Sequence, residues 1–356
     1  MRHALSLGRR GIGQTSPNPS VGCVIVSPDG CIVGRGCTAD NGRPHAEGIA
    51  LARAGSFARG ATAYVTLEPC ASQTQTLPCA DRLIAAGIKR VVAALEDPDH
   101  RTDGNGFAKL RAAGIEVSTG LLKEEARESH AGFLMRVQCN RPLVTLKVAQ
   151  SSDGKVAPLP GEGQWVTGIE ARTFGQLLRA RNDAILVGIE TILADDPELT
   201  CRIPGLEKYS PLRVVLDTKL RLPQTSKLAT TAKRHRVIVF TAASGGHDLK
   251  AQGVEVVTAQ TNSNRQLSVA AVLRSLSERG VTRLLVEGGP KVHASFLNGG
   301  YADRLEMFTA PRIVGDRGRS GVATLMPEAL REAPNFMRVT ERKLGADLLE
   351  SYAARA

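Results

Sequence analysis

Aromatic side chains are scarce in this chain: 4% of 356 residues, with a single tryptophan. Single-stranded nucleic acid is held largely by stacking bases on aromatic rings, so a formal net charge of +11 does not by itself make a nucleic-acid binder. Lys and Arg are also dispersed along the chain, and small anionic ligands such as phosphorylated metabolites account for a basic surface equally well. No apolar run approaches the ~18 residues that span a bilayer. No apolar segment of the signal-peptide type follows the basic stretch Met1 to Arg10, so a signal peptide is not expected. The seven cysteines show no disulfide-framework spacing, which points to a reducing cytoplasm. No G-x-G-x-x-G follows a strand-like segment, so the Rossmann fingerprint is missing. Low-complexity tracts are absent too, and the length predicts two domains.

The segments that are present alternate strand and helix. In the first third, Val21–Val26, Ala63–Leu67 and Arg90–Leu95 read as strands; helices are expected after His45, after Cys79 and near Phe107–Ala113. That pattern predicts an α/β domain with a mixed or parallel sheet over residues 1–140. Polar, helical residues 123–136 lead to Arg141-Pro142, and a fresh strand starts at Leu143. A second α/β domain is expected over 141–356, with strands at Ala184–Val187, Arg213–Leu216, Arg236–Phe240, Val254–Val257 and Arg283–Val286.

The strongest chemical signal is His45-Ala46-Glu47, then Glu68-Pro69-Cys70, then Cys79. Zinc deaminases of bases and nucleosides carry an H-x-E element with downstream P-C and a further cysteine. One imidazole and two thiolates hold a tetrahedral zinc with the fourth position open to water, and the metal lowers that water's pKa. Glu47 is then the proton shuttle and not a ligand. Taken singly, His45, Cys70 or Cys79 is more simply a core or surface residue. Together they are placed to converge, because His45 and Cys79 open helical runs and Cys70 ends a strand. The eight residues between Cys70 and Cys79 exclude the commonest cytidine-deaminase spacing. Cys23, Cys31, Cys37, Cys139 and Cys201 read as structural.

In the second half, Leu284-Leu285-Val286 runs into Glu287-Gly288-Gly289-Pro290 and an expected helix from Lys291 to Leu297. A helix start after such a turn suits phosphate, although a plain strand-to-helix turn explains the glycines as well.

These motifs, with Pro17-Asn18-Pro19-Ser20-Val21-Gly22, Ser151-Ser152-Asp153-Gly154-Lys155, Gln164-Trp165-Val166-Thr167 and Leu193-Ala194-Asp195-Asp196-Pro197-Glu198-Leu199-Thr200-Cys201-Arg202, resemble the bifunctional bacterial riboflavin-biosynthesis deaminase–reductases over essentially the whole chain. The resemblance implies a cytidine-deaminase-like three-layer α/β/α domain followed by a dihydrofolate-reductase-like α/β domain. It implies Zn2+ and NADPH as cofactors and two consecutive reactions. The first removes the 2-amino group of a diamino-ribosylamino-pyrimidinone 5′-phosphate; the second reduces the ribose chain of the resulting aminouracil to ribityl. A small phosphorylated pyrimidine is the expected partner, in a homo-oligomeric enzyme that binds neither nucleic acid nor membrane. Carried over by position, His45, Cys70 and Cys79 are the zinc ligands and Glu47 the catalytic proton carrier. Ala149, Trp165, Thr191, Asp195, Thr218 and the run Gly289, Pro290, Lys291, Val292, His293, Ala294, Ser295 match cofactor positions. Asn18, Gly163, Arg179, Leu199, Arg202 and Glu287 match substrate positions, the two arginines at the substrate phosphate. Plainer readings make Asn18 a turn residue, Trp165 a core aromatic and Asp195 a cap. Glu287 resists one, because an acid at the end of an apolar strand needs a reason.

The chain departs from the family pattern around the deaminase site. Ala71 to Pro78 reads Ala-Ser-Gln-Thr-Gln-Thr-Leu-Pro where the family usually has Ser-His-x-Gly-Arg/Lys-Thr-Pro-Pro, and Thr38 replaces a histidine. His100 and Thr102 stand where proline and valine are usual, and Gly163 where a serine is. Thr38, Ser72 and Gln75 therefore remove two imidazoles and a cation, leaving Arg43, Arg101 and His100 as candidates to hold the phosphate. Two alternatives stay open: a deaminase of altered pyrimidine specificity, separable by a substrate panel, and a nucleic-acid deaminase, separable by salt-sensitive RNA or DNA binding.

Overall fold

The computed structural model describes residues 1–72, 77–157, 166–316, 318–320, 322 and 336–355. Gly163, Trp165 and Gln75 lie outside them. The chain divides into two compact units, Met1–Arg141 and Pro142–Ala356.

The first unit contains α1 (Arg2–Gly8), β1 (Gly22–Val26), β2 (Ile32–Cys37), α2 (Ala46–Ala54), β3 (Thr62–Val65), α3 (Cys79–Ala85), β4 (Arg90–Ala93), α4 (Asn105–Ala112), β5 (Glu116–Thr119) and α5 (Lys123–Cys139). The sheet runs β2-β1-β3-β4-β5. β1 is antiparallel to β2 and β3, and β3, β4 and β5 are parallel. Its inner strands carry Cys23, Ile25, Ala63, Val65, Val91 and Ala93, all buried, as expected for strands covered on both faces. β2 escapes the sequence reading because its Ile-Val-Gly-Arg-Gly-Cys has little apolar periodicity. Its glycines serve a different end: a Cβ on Gly36 would stand 2.1 Å from the Ala46 carbonyl. Only that bare backbone lets the start of α2, with His45 and Glu47, lie directly on the sheet.

The second unit contains β6 (Leu143–Ser151), β7 (Lys155–Ala157), α6 (Ile169–Ala180), β8 (Ala184–Gly188), α7 (Ile189–Asp195), β9 (Leu212–Leu216), α8 (Lys227–Thr230), β10 (Val237–Thr241), α9 (His247–Ala251), β11 (Val254–Thr258), α10 (Val269–Glu278), β12 (Arg283–Val286), α11 (Pro290–Asn298), β13 (Arg304–Ala310), β14 (Arg319–Ser320), β15 (Phe336–Leu344) and β16 (Asp347–Ala354). Nine strands form one sheet, β11-β10-β9-β8-β12-β6-β13-β16-β15. It is parallel from β11 to β13, and β16 and β15 close it antiparallel. Separate apolar cores cover its two faces, one around Ile185, Val215 and Leu285, the other around Leu186, Val214 and Leu284. The sequence reading did not assign β13, β15 or β16. In β15 the residues between Phe336 and Leu344 are exposed, so no alternation marks it. β12 sits between β8 and β6, where the strand order reverses, and open α/β sheets bind ligands beyond strand ends at such a point.

Candidate active sites

In the first unit three side chains meet from three elements. His45 is the N-cap of α2, Cys79 is the first residue of α3, and Cys70 follows β3. His45 Nδ1 lies 3.3 Å from Cys79 Sγ and 3.6 Å from Cys70 Sγ. All three ligand atoms fall within 4.8 Å of one another. Zn–S bonds near 2.3 Å and Zn–N bonds near 2.0 Å require tetrahedral ligand spacings of about 3.5–3.8 Å, so the donor set fits zinc in both chemistry and size. The Cys79 N–H also donates to Cys70 Sγ at 3.3 Å. That neighbouring thiol and backbone N–H, with His45, draw the Cys70 thiol down to about 4, while the partner Cys79 thiol is pushed up. Glu47 is 3% exposed. Burial, with the charge of Cys70, pushes its carboxyl up to about 7, which suits a group that must both take and give a proton.

A cavity of about 390 Å³ opens onto these residues, and Asn18, Arg43, Arg82, Asp97 and Arg101 also line it. Asn18 Nδ2 donates to the Gly42 carbonyl at 3.4 Å. The candidates for holding a phosphate separate here. The His100 side chain is 92% exposed and is not part of the lining, whereas Arg43 and Arg101 are. Arg101 is forked onto the Asp99 carboxylate, and its carbonyl accepts from the Ser72 hydroxyl. Thr38 is buried, with Oγ1 accepting from the Val21 N–H at 3.0 Å.

Glu68 went unnoticed as a functional position. Its buried carboxylate accepts the N–H groups of Asp97, Gly104 and Phe107, which ties the turn before Cys70 to the cavity wall. Its signal was present in the sequence: an acid at the end of the apolar run Tyr64-Val65-Thr66-Leu67.

In the second unit Glu287 follows β12 and meets Arg179 from the end of α6. Arg179 Nε and Nη2 donate to the two carboxylate oxygens at 2.8 and 2.9 Å, and Nη1 donates to the Thr200 carbonyl at 3.0 Å. Lys147, on β6, is 4.0 Å from the same carboxylate. Burial would raise the Glu287 carboxyl, but Arg179 and Lys147 outweigh it and hold it at about 2. Burial pulls Lys147 down against the attraction of Glu287. Sequence reasoning missed Lys147, although a lone cation in Leu143-Val144-Thr145-Leu146-Lys147-Val148 was its signal. Arg202 is half-exposed, 3.7 Å from Glu198. Leu199 is buried, in the left-handed region at φ 57°. Three nitrogens of Arg179 are thus engaged within the chain, and Arg202 is the more open cation.

The expected cofactor positions take their places from the parallel strands. Ala149 is on β6, Thr191 and Asp195 on α7, Thr218 just beyond β9, and residues 289–295 at the start of α11. A Cβ on Gly288 would stand 2.9 Å from the Gly188 nitrogen, so the ends of β12 and β8 touch backbone to backbone. Gly289 caps α11 and Pro290 fills its first turn, giving a helix N-terminus that favours an anion. Lys291 is exposed and Pro290, Val292 and Ser295 half-buried, whereas the His293 and Ala294 side chains turn into the protein.

Comparison with known proteins divides the chain in the same way. Residues 1–95 match the cytidine and deoxycytidylate deaminase zinc-binding region, and residues 142–347 match the RibD C-terminal domain. The riboflavin biosynthesis protein RibD of Aquifex aeolicus is 41% identical, over 98% of this chain and 96% of its own. RibD of Escherichia coli is 39% identical, over 98% and 96%. The solved RibD of Acinetobacter baumannii superposes with a TM-score of 0.89 at 35% identity, covering 100% of this chain and 98% of that one. The Thermotoga maritima diaminohydroxyphosphoribosylaminopyrimidine deaminase/5-amino-6-(5-phosphoribosylamino)uracil reductase does so with a TM-score of 0.86 at 35% identity, covering 100% and 97%. Matched along nearly its whole length at these identities, the chain belongs to the RibD family, the bifunctional deaminase–reductases of riboflavin biosynthesis.

Proposed function

We propose that the first unit deaminates 2,5-diamino-6-ribosylamino-4(3H)-pyrimidinone 5′-phosphate and that the second reduces the product, 5-amino-6-(5-phosphoribosylamino)uracil, with NADPH. One observation carries the reading: a buried carboxyl, Glu47, stands beside a zinc-sized His45/Cys70/Cys79 triad on a cavity large enough for a pyrimidine. Zinc held there would supply a water whose pKa lies near neutrality. Glu47 would take a proton from water and give it to the departing amine, and its raised affinity for protons suits both halves of the task. Asn18 orients the pyrimidine. Arg43 and Arg101 face the phosphate, the latter already oriented by Asp99.

In the second unit Ala149, Thr191, Asp195, Thr218 and the start of α11, at the strand ends, would hold NADPH, which would supply the hydride. Trp165 and Gly163 complete the proposed contacts to cofactor and substrate. Glu287 holds the ribosyl chain, and Arg202 the phosphate, which an exposed planar fork suits. Arg179 supports the site by fixing Glu287. The enzyme works in the cytoplasm, in keeping with seven free cysteines, and no helix among the described residues is long and apolar enough to cross a membrane. It acts on a small molecule and not on nucleic acid. A homo-oligomer is the assembly we propose, supported by the exposed edge strand β15 with its exposed Met337 and Val339; light scattering reads it directly. The deciding experiment is anaerobic turnover of the diamino pyrimidine phosphate, following ammonia release and NADPH oxidation together. Ammonia without NADPH oxidation would remove the second half of the reading, and neither signal would remove both.

A further inference from the structure

Arg213, in the interior strand β9, is wholly buried. A guanidinium deep in a protein usually has a carboxylate beside it, because an unpaired ion is costly to desolvate. The acceptors of Arg213 are instead uncharged: the carbonyls of Glu198, Leu228, Thr231 and His235 and the Thr231 hydroxyl. Its Nε finds no partner among the described residues. The Leu228 and Thr231 carbonyls close the end of α8, where a cation is favoured. If that were the whole role of Arg213, the Glu198 bond would be superfluous.

Glu198 belongs to the loop that follows α7. Arg213 Nη1 holds its carbonyl at 3.2 Å, and Arg179 Nη1 holds the Thr200 carbonyl at 3.0 Å. Between these two carbonyls stands Leu199 at φ 57°. Leucine keeps such a backbone only where its surroundings fix it. Two guanidinium groups, a buried one from β9 and a largely covered one from the end of α6, thus grip the peptide on either side of the strained residue. Arg202 lies three residues further along the same loop, with its N–H donating to Gln176 Oε1 at 2.6 Å.

We infer that Arg213 is a positioning residue of the reductase, holding the loop of residues 196–202 so that Leu199 and Arg202 meet the phosphorylated substrate in one prearranged geometry. The inference rests on the reading of that loop as part of the substrate site. A preordered loop spares the ordering cost at binding, and small displacements of binding groups translate into large losses.

The test uses the full chain, with NADPH and 5-amino-6-(5-phosphoribosylamino)uracil varied separately. Arg213→Lys keeps the buried charge but not the fork, so it cannot hold the Glu198 carbonyl, taken by Nη1, together with the Leu228 and His235 carbonyls, taken by Nη2. The KM for the pyrimidine should rise about tenfold, the loss of one hydrogen bond to a charged group, with the NADPH KM and ammonia release unchanged. A purely structural arginine would lower the active fraction or the Tm and leave that KM in place; a folded Arg213→Lys protein with an unchanged pyrimidine KM overturns the inference. Should Arg213→Lys fail to fold, Thr231→Val removes the hydroxyl that shares Nη1 with Glu198. It should raise the same KM about threefold, and no change there overturns the inference instead. Arg202→Ala, run in parallel, separates the two levels. A silent Arg202→Ala sinks the assignment of Arg202 to the phosphate, whereas an impaired Arg202→Ala beside a silent Arg213→Lys sinks the clamp alone.

Discussion

The deaminase half gathers its reactive groups from the short stretch between His45 and Cys79, while the reductase half draws on residues from Lys147 to Glu287. In the first, two helix starts and one strand end bring soft and borderline donors within 4.8 Å, and the element they suit dictates both residue type and spacing. In the second, no single local motif gathers the groups. Arg179, Glu287 and Lys147 meet only because β6, β8 and β12 lie side by side in a parallel sheet. The electrostatics differ as well. Glu47 is pushed up to about 7 by burial, and Glu287, also largely covered, is pulled down to about 2 by two cations. One carboxyl is thereby poised to exchange protons and the other to remain a fixed anion.

The largest expected effect tests the first half of that contrast. Glu47→Gln should lower ammonia release by about 10²–10⁴-fold, the range for removing a general acid–base group, with zinc still bound and pre-deaminated substrate still oxidising NADPH. Stoichiometric loss of zinc would mean that Glu47 is a ligand. Next, Cys79→Ser should cost most of the zinc, because a hydroxyl is a far weaker ligand than a thiolate. Cys139→Ser should leave metal content unchanged, and equal zinc loss at both positions, measured by atomic absorption, would show the ligand set to be wrong.

Breaking the other carboxyl should act on stability. Glu287→Gln leaves Arg179 and Lys147 without their counter-charge, a loss of about 3–5 kcal/mol for a buried pair, seen in urea unfolding. The folded-state pKa of Glu287 is depressed from 4.5 to about 2. Its stabilisation is therefore fully present above about pH 4.5 and fades as pH falls toward 2. Stability curves of the parent and Glu287→Gln should converge on acidification; parallel curves would contradict the assignment.

A smaller effect is expected at Arg202. Arg202→Ala should raise the reductase pyrimidine KM about ten- to a hundredfold, the worth of a charge-assisted contact, with NADPH affinity nearly intact. Loss of NADPH affinity instead would move Arg202 to the nucleotide site. Smallest of all is Arg101→Ala. Its guanidinium is already paired with Asp99 and its side chain is 64% exposed, so its net contribution is about 0.2–1 kcal/mol. The deaminase KM should rise less than about fivefold, and the rise should shrink at high salt. A larger, salt-independent change would make Arg101 the principal phosphate anchor. Thr38 and Ser72 both line the deaminase cavity, so restoring the family residues with Thr38→His and Ser72→His should lower the deaminase KM without changing zinc content, and no gain in binding would sink the rewired phosphate grip.

Much of the deaminase site was legible in the sequence, because metal chemistry restricts which residues can appear and how far apart. Glu68 and Asp97 escaped that reading: their partners are backbone N–H groups and a shared cavity wall, and no residue spacing encodes those. In the reductase half, the alternation of apolar runs foretold the parallel strands, but β13, β15 and β16 lacked such a pattern and stayed hidden. Arg179 and Glu287 could be named from resemblance, yet nothing in a linear chain says that they bind each other.

By itself, the sequence determined the two-part α/β organisation and singled out the candidate zinc donors and the proposed proton carrier, since apolar periodicity and soft-ligand chemistry are local properties. Tertiary structure alone decided which cations remain open to a phosphate, which carboxyl is raised by burial and which is lowered by cations, and that Arg213 and Arg179 grip the peptide around Leu199. Burial and charge pairing depend on what the fold brings alongside, and neither is a property of a residue or of its neighbours in the chain.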